Sequence, residues 1–156
     1  MTAAERRSLD DAIRAARGRR ERLRDCMADL ERAIAAPAPG REKAWREALV
    51  PVLDELAVAF DHHVAETEES GGLLEQIVTD APRLAHAVDG LREHHREVAG
   101  DIADLRDGTA SPGEGVADPA ALRTAVLELL GGLARHRQLG ADLVYEAYQV
   151  DLGAGD

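Results

Sequence analysis

The chain has 156 residues, of which 45% are hydrophobic and only 3% aromatic, and its formal net charge is −11. This length suits a single domain over residues 1–156. The negative charge argues against nucleic acid or an anionic membrane surface as a partner, because binding to either depends on clustered Lys and Arg. With so few aromatics, small and aliphatic side chains must form the core, which favours an all-α protein.

Neither a membrane span nor a secretory leader is predicted. No apolar run approaches the roughly 20 residues that cross a bilayer, and the start MTAAERRSLDD contains no apolar stretch. Cys26 is the one cysteine, so an internal disulfide and a cysteine-based zinc site are both excluded. We expect Cys26 off the apolar stripe of its helix, and we expect a cytoplasmic protein.

Three breaks rich in Pro and Gly divide the chain into helical segments. They are APAPG at 36–40, ESGG at 69–72 with TDAP close behind, and DGTASPGEGVADP at 107–119. The first helix is predicted from about Ala3 to Ala35 and the second from about Arg41 to Glu69.

The later segments carry clear start signals. A short helical turn, Leu73 to Val78, leads to a third helix that Asp80 caps, with Pro82 in its first turn. The fourth helix is predicted to start at Asp118, next to Pro119.

Each predicted helix has one apolar stripe at steps of three and four residues. On the first helix the stripe consists of Leu9, Ile13, Ala16, Leu23, Met27, Leu30 and Ile34. Four such helices with short connections pack most simply as an antiparallel up-down-up-down four-helix bundle.

Three histidines fall on the apolar stripes of three different helices. At about 100° per residue, His63 lies on the stripe of the second helix, His95 on that of the third and His136 on that of the fourth. The neighbouring His62 is expected to face water, and His94 flanks His95.

The three inward histidines have two interpretations. Burying an imidazole costs free energy unless its nitrogens find partners, so each could be a core residue with a hydrogen-bonded ring. If the three lie at one level, their neutral rings could instead hold Zn, Fe or a similar ion, with Glu66 or Glu68 as a nearby carboxylate.

Two other features of the last helix are predicted to be structural. Gly131 and Gly132 favour a close helix contact, although for Gly132, one turn before His136, room for a small ligand is an equal explanation. The second feature is a group of surface or rim residues: Tyr145, Glu146, Tyr148 and Asp151.

Three segments together resemble the hemerythrin-like, or HHE cation-binding, family: HHVAETEESGGLL, APRLAHAVDGLREHHREV and LARHRQLGADLVYEAYQVDLG. The resemblance extends from about Arg20 to Gly153. It implies an up-down four-helix bundle around a non-haem di-iron centre or another metal. It also implies a role in oxygen binding or sensing, in nitric oxide or peroxide handling, in iron storage, or in the repair of iron centres.

The sequence departs from the ligand pattern that the resemblance implies. In the family, a ligand histidine is commonly followed four residues later by Glu or Asp, and this carboxylate bridges two irons. Here Thr67 follows His63 at that distance, and Gly140 follows His136. Arg20 stands where the first helix would supply a histidine, and a guanidinium cannot ligate a metal.

Two hypotheses of different classes follow. In the first, His63, Glu66, His95 and His136 bind non-haem iron, mono- or dinuclear, and through it a small diatomic ligand or peroxide; the sequence does not specify an enzymatic reaction. In the second, the bundle has lost its metal and serves as an interaction module or homodimer. In that case Arg20 is expected to form a salt bridge in the core.

Overall fold

The computed structural model describes residues 2–110 and 118–149, except for several side chains in the first half of the first helix. Within these ranges the protein is all-helical and has no strand, so the predicted all-α class is confirmed. The helices are α1 (Ala3–Ala35), α2 (Glu42–Glu68), α3 (Leu73–Asp80), α4 (Ala85–Ala110) and α5 (Pro119–Tyr148).

The start of the third long helix differs from the prediction. Asp80 is the last residue of α3 and does not cap α4, and a 3₁₀ turn at Pro82–Leu84 lies between the two helices. Ala81 leaves the helical region, with φ −135° and ψ 73°. The reason is steric, because a residue before proline is disfavoured in the α conformation.

Some predicted features lie outside the described part of the chain. They are the side chains of Leu9, Ile13 and Ala16, the tail with Asp151, and residues 111–117 of the third break. The first residues of that break are helical, since α4 continues to Ala110, where the Thr109 hydroxyl donates to the Leu105 carbonyl at 2.6 Å.

The four long helices contact one another in a closed order. α1 packs against α2 and α5, and α4 packs against the same two helices, while α3 contacts α2, α4 and α5. This is the pattern of a helical bundle, in which each helix buries one apolar stripe. The single domain over residues 1–156 stays a prediction.

The described core contains two apolar clusters. The larger joins α1, α2, α4 and α5 and includes Leu30, Leu53, Phe60 and Leu133. The smaller joins α3 and the 3₁₀ turn to α4 and α5. It includes Leu91 of α4 and Leu143 of α5.

Two predictions about packing are wrong. Cys26 is buried, at 5% exposure, because Leu23 and Leu30 place it on the inward face of α1 at steps of three and four residues, and burial raises the pKa of its thiol. Gly131 and Gly132 do not mark a close helix contact, since a Cβ at either position would meet no atom of the described residues within 4 Å.

Arg123 ties the start of α5 to the end of α1. Its guanidinium donates to the carbonyls of Ile34 and Ala36, both at 2.8 Å, and lies 4.9 Å from the ring centroid of Trp45. One side chain thereby satisfies carbonyls that a helix end leaves without partners. None of the described helices has the length and hydropathy needed to cross a membrane.

The last helix begins where the sequence predicts, because Asp118 is the N-cap of α5 and its carboxylate accepts from the backbone N–H groups of Ala120 and Ala121. We expect Asp118→Ala to lower the free energy of unfolding by about 1 kcal/mol, because the cap is lost. Asp118→Ser should keep most of it. Urea unfolding measures both variants, and equal losses in the two would contradict the capping role.

Candidate metal centre

The histidine triad, defined as His63, His95 and His136, comes together inside the bundle. One ring nitrogen of each residue lies within 4.8 Å of the other two. The ring centroids are 4.6 Å apart for His95 and His136, 5.1 Å for His63 and His136, and 5.5 Å for His63 and His95. The predicted convergence of three helices on one polar group is therefore confirmed.

The triad lies between the two apolar clusters. Along α4, His95 stands between Leu91 of the smaller cluster and Val98 of the larger. Along α5, His136 stands between Leu133 of the larger cluster and Leu143 of the smaller. The imidazoles thus form a polar layer between two apolar clusters, and His95 and His136 are only 2% and 3% exposed.

Phe60, the only phenylalanine of the chain, packs against all three rings. Its centroid is 5.9 Å from that of His63, 6.1 Å from that of His95 and 5.9 Å from that of His136. It stands one helical turn before His63, so the same stripe of α2 supplies a ligand candidate and the apolar surface beneath it. These contacts restrict how far the rings can rotate.

His95 has one engaged nitrogen and one without a partner. Its Nδ1 is 2.9 Å from Glu68 Oε1, while its buried Nε2 has no hydrogen-bond partner in the part of the chain that the structure describes. If Nδ1–H donates to the carboxylate, Nε2 carries an unused lone pair. The other such buried nitrogen is Trp45 Nε1, which can only donate and so cannot ligate a metal.

His136 contacts other histidines through both of its nitrogens. Its Nε2 is 3.0 Å from His63 Nε2, and its Nδ1 is 3.1 Å from Nδ1 of the half-buried His94. Each contact requires one donor and one acceptor, so the tautomers of these rings depend on one another.

The environment keeps two members of the triad uncharged. Burial, assisted by the neighbouring His95, lowers the pKa of His63 to about 4 and that of His136 to about 3. At neutral pH both rings are therefore neutral, which is the form in which imidazole binds a metal.

Glu66, the predicted carboxylate ligand, is held by Arg19. The guanidinium donates to both carboxylate oxygens, with 2.6 Å between Arg19 Nη2 and Glu66 Oε1, and the pair lowers the pKa of the Glu66 carboxyl. Glu66 thus stands outside the triad, and its role as a ligand stays a prediction. Arg20 is exposed, so the expected core position for this residue is wrong.

The donor set suits a single transition-metal ion. Bonds of about 2.0–2.1 Å to imidazole nitrogens place tetrahedral ligands about 3.4 Å apart. The His63–His136 contact is already shorter than this, and the widest separation in the triad, 4.8 Å, requires the rings to close by roughly 1.4 Å. Glu68 is placed as the carboxylate that commonly orients a metal-bound histidine through its second nitrogen.

The remaining histidines divide as follows. His62 and His86 are exposed, and the prediction for His62 is confirmed. The sequence did not indicate that His94 would contact His136, because the two are 42 positions apart on different helices. Only the adjacency of His94 to His95 gave any signal. Tyr145 is exposed and Tyr148 donates to Asp80, which agrees with their predicted places on the surface and rim.

Comparison of the chain with models of protein families, with curated proteins and with solved structures gave no match.

The depressed pKa values of His63 and His136 predict how stability depends on pH. The unfolded chain binds protons at these residues near pH 6.5, whereas the folded chain binds them near pH 4 and pH 3. The unfolded state therefore holds more protons between these values, and the free energy of unfolding rises with pH there. We expect full stability above about pH 7 and a progressive loss as the pH falls below about 6.5.

Urea midpoints of the metal-free protein, measured across this range with chelator present, test the dependence. The double variant His63→Phe, His136→Leu should show a flatter curve, and His62→Ala should keep the wild-type curve because that ring is exposed. A wild-type curve as flat as that of the double variant would contradict the assignment.

Proposed function

We propose that the protein binds one divalent transition-metal ion, with iron expected, through His63, His95 and His136. The observation that carries this proposal is the buried His95 Nε2, which has no hydrogen-bond partner among the described residues. His95 is also one of the three histidines that each place a ring nitrogen within 4.8 Å of the other two. A buried polar atom without a partner costs free energy, and a metal ion at this position would remove that cost.

The ligand chemistry supports an ion of intermediate softness. Three imidazole ligands suit Fe(II), Zn or Mn better than hard cations such as Ca, which prefer oxygen ligands. The triad has no thiolate, since Cys26 is buried in α1 and is not part of it.

Three protein ligands leave at least one coordination position for a small molecule, and a bound iron ion would supply redox and Lewis-acid chemistry there. We propose a diatomic molecule or peroxide as that ligand. The residues around the triad support this choice by their size. Phe60 and the two apolar clusters leave an apolar, restricted surrounding in which a small ligand fits more easily than a large one.

The proposal includes a hemerythrin-like up-down-up-down topology and a cytoplasmic location. The closed contact order of α1, α2, α4 and α5 supports the bundle. The metal-free interaction module is the alternative. It expected Arg20 in the core, and the exposure of that residue argues against it.

Metal binding should depend on each member of the triad. We expect purified untagged protein to bind about one Fe(II) or Co(II) per chain with a rise in melting temperature, because a ligand of the native state stabilises it by mass action. His63→Ala, His95→Ala and His136→Ala should each abolish this rise. Anaerobic titration followed by absorption spectroscopy and thermal unfolding measures both quantities.

The exposed histidines provide the matched controls. His62→Ala and His86→Ala remove one imidazole each outside the triad and should bind metal as the wild type does. A melting temperature that ignores both chelator and added metal, in a folded wild-type protein, would leave the metal-free module as the function of this bundle.

The fourth ligand position can be tested through Arg19. Since its guanidinium occupies both oxygens of Glu66, we expect Arg19→Gln to free this carboxylate for the metal and to raise the Co(II) affinity severalfold. The double variant Arg19→Gln, Glu66→Gln should lose the gain.

Arg106→Gln is the control for the Arg19 test, because it breaks the separate Arg106–Asp54 pair, which joins its partners at 2.9 Å. Its affinity should equal that of the wild type. An unchanged affinity in Arg19→Gln would remove Glu66 from the ligand set and leave the three histidines.

A further inference from the structure

A fourth histidine, His94, contacts His136 on the side of the ring that faces away from the triad. Its ring lies edge to edge with that of His136, with 5.3 Å between centroids and 7° between planes, and the two Nδ1 atoms are 3.1 Å apart. His94 is half-buried and lines a cleft of about 460 Å³ between α4 and α5, together with Leu91, Leu139 and Arg135.

The contact between the two Nδ1 atoms restricts the tautomers of both rings. A neutral imidazole carries its proton on one nitrogen only. If His136 Nδ1–H donates to His94 Nδ1, His136 Nε2 is free to offer its lone pair toward the triad. If His94 donates instead, the proton of His136 must sit on Nε2, which then points N–H into the triad and cannot ligate.

We infer that His94 is a positioning residue that accepts from His136 and holds it in the ligating tautomer. This inference rests on the proposed metal site and extends it from three histidines to four. His94 would serve His136 as Glu68 serves His95, since the nitrogen opposite the metal of a ligand histidine normally donates to an outer acceptor.

The position of His94 allows its effect on the His136 tautomer to be tested without disturbing the packing of the core. Its ring lies on the wall of a cleft and is only half-buried, so a substitution there leaves the two apolar clusters intact. His94→Phe keeps a planar ring of similar size and removes the acceptor. His94→Gln removes the ring and keeps an acceptor oxygen on a side chain of similar reach.

The experiment measures Co(II) affinity by competition with a chelator, together with the melting temperature of the metal-free protein. We expect His94→Phe to weaken Co(II) binding by about 10- to 100-fold with little change in the metal-free melting temperature. His94→Gln should recover most of the lost affinity. His62→Phe, at an exposed position of α2, controls for the exchange of an imidazole for a phenyl ring.

Nuclear magnetic resonance of the imidazole nitrogens gives an independent readout. In the Zn(II)-loaded wild type, His136 should carry its proton on Nδ1, and a proton found on Nε2 would overturn the inference. Wild-type affinity in His94→Phe would also overturn it while leaving the metal site standing, provided that His95→Ala abolishes binding. Absence of metal binding in the wild type would reject the proposed site itself, and the inference with it.

Discussion

The desolvation of three imidazole rings is the constraint on which the rest of this structure depends. His63, His95 and His136 lie in a layer between two apolar clusters, where His95 and His136 are almost fully buried and His63 is partly buried. Burial lowers the pKa of His63 and that of His136, so both rings are neutral at neutral pH and their lone pairs are available. The neutral form is also the one that the proposed metal site requires.

Hydrogen bonds at the margin of this layer decide which nitrogens are free. Glu68 fixes one side of His95, and His94 contacts the outer side of His136, so in both residues one nitrogen is engaged away from the centre. Arg19 has a different effect, because it donates to both oxygens of Glu66. With Glu66 engaged by a cation, the donor atoms that come together in the triad are nitrogens, which suits the proposal of a transition metal rather than Ca or Mg.

The long continuous helices fix the positions of the three imidazole rings. Each histidine lies inside a long helix that also buries apolar residues on the same face. The packing of those residues fixes the height of the imidazole ring in the bundle. Phe60 completes the arrangement by touching all three rings from one helix. Phe60 is the single phenylalanine of the chain and is fully buried, so this layer rests on one aromatic ring that contacts all three imidazoles.

The sequence by itself determined the helices and the inward direction of the three histidines, because both depend on a local period of about 3.6 residues. It located the start of the last helix at Asp118 but misplaced the cap at Asp80, where the geometry imposed before Pro82 prevailed. Only the tertiary structure decided that Arg19 donates to both oxygens of Glu66, that Cys26 is buried, and that His94 contacts His136. These outcomes depend on the rotation and height of one helix against another, which no single helix encodes, since neighbouring residues differ by about 100° around the axis.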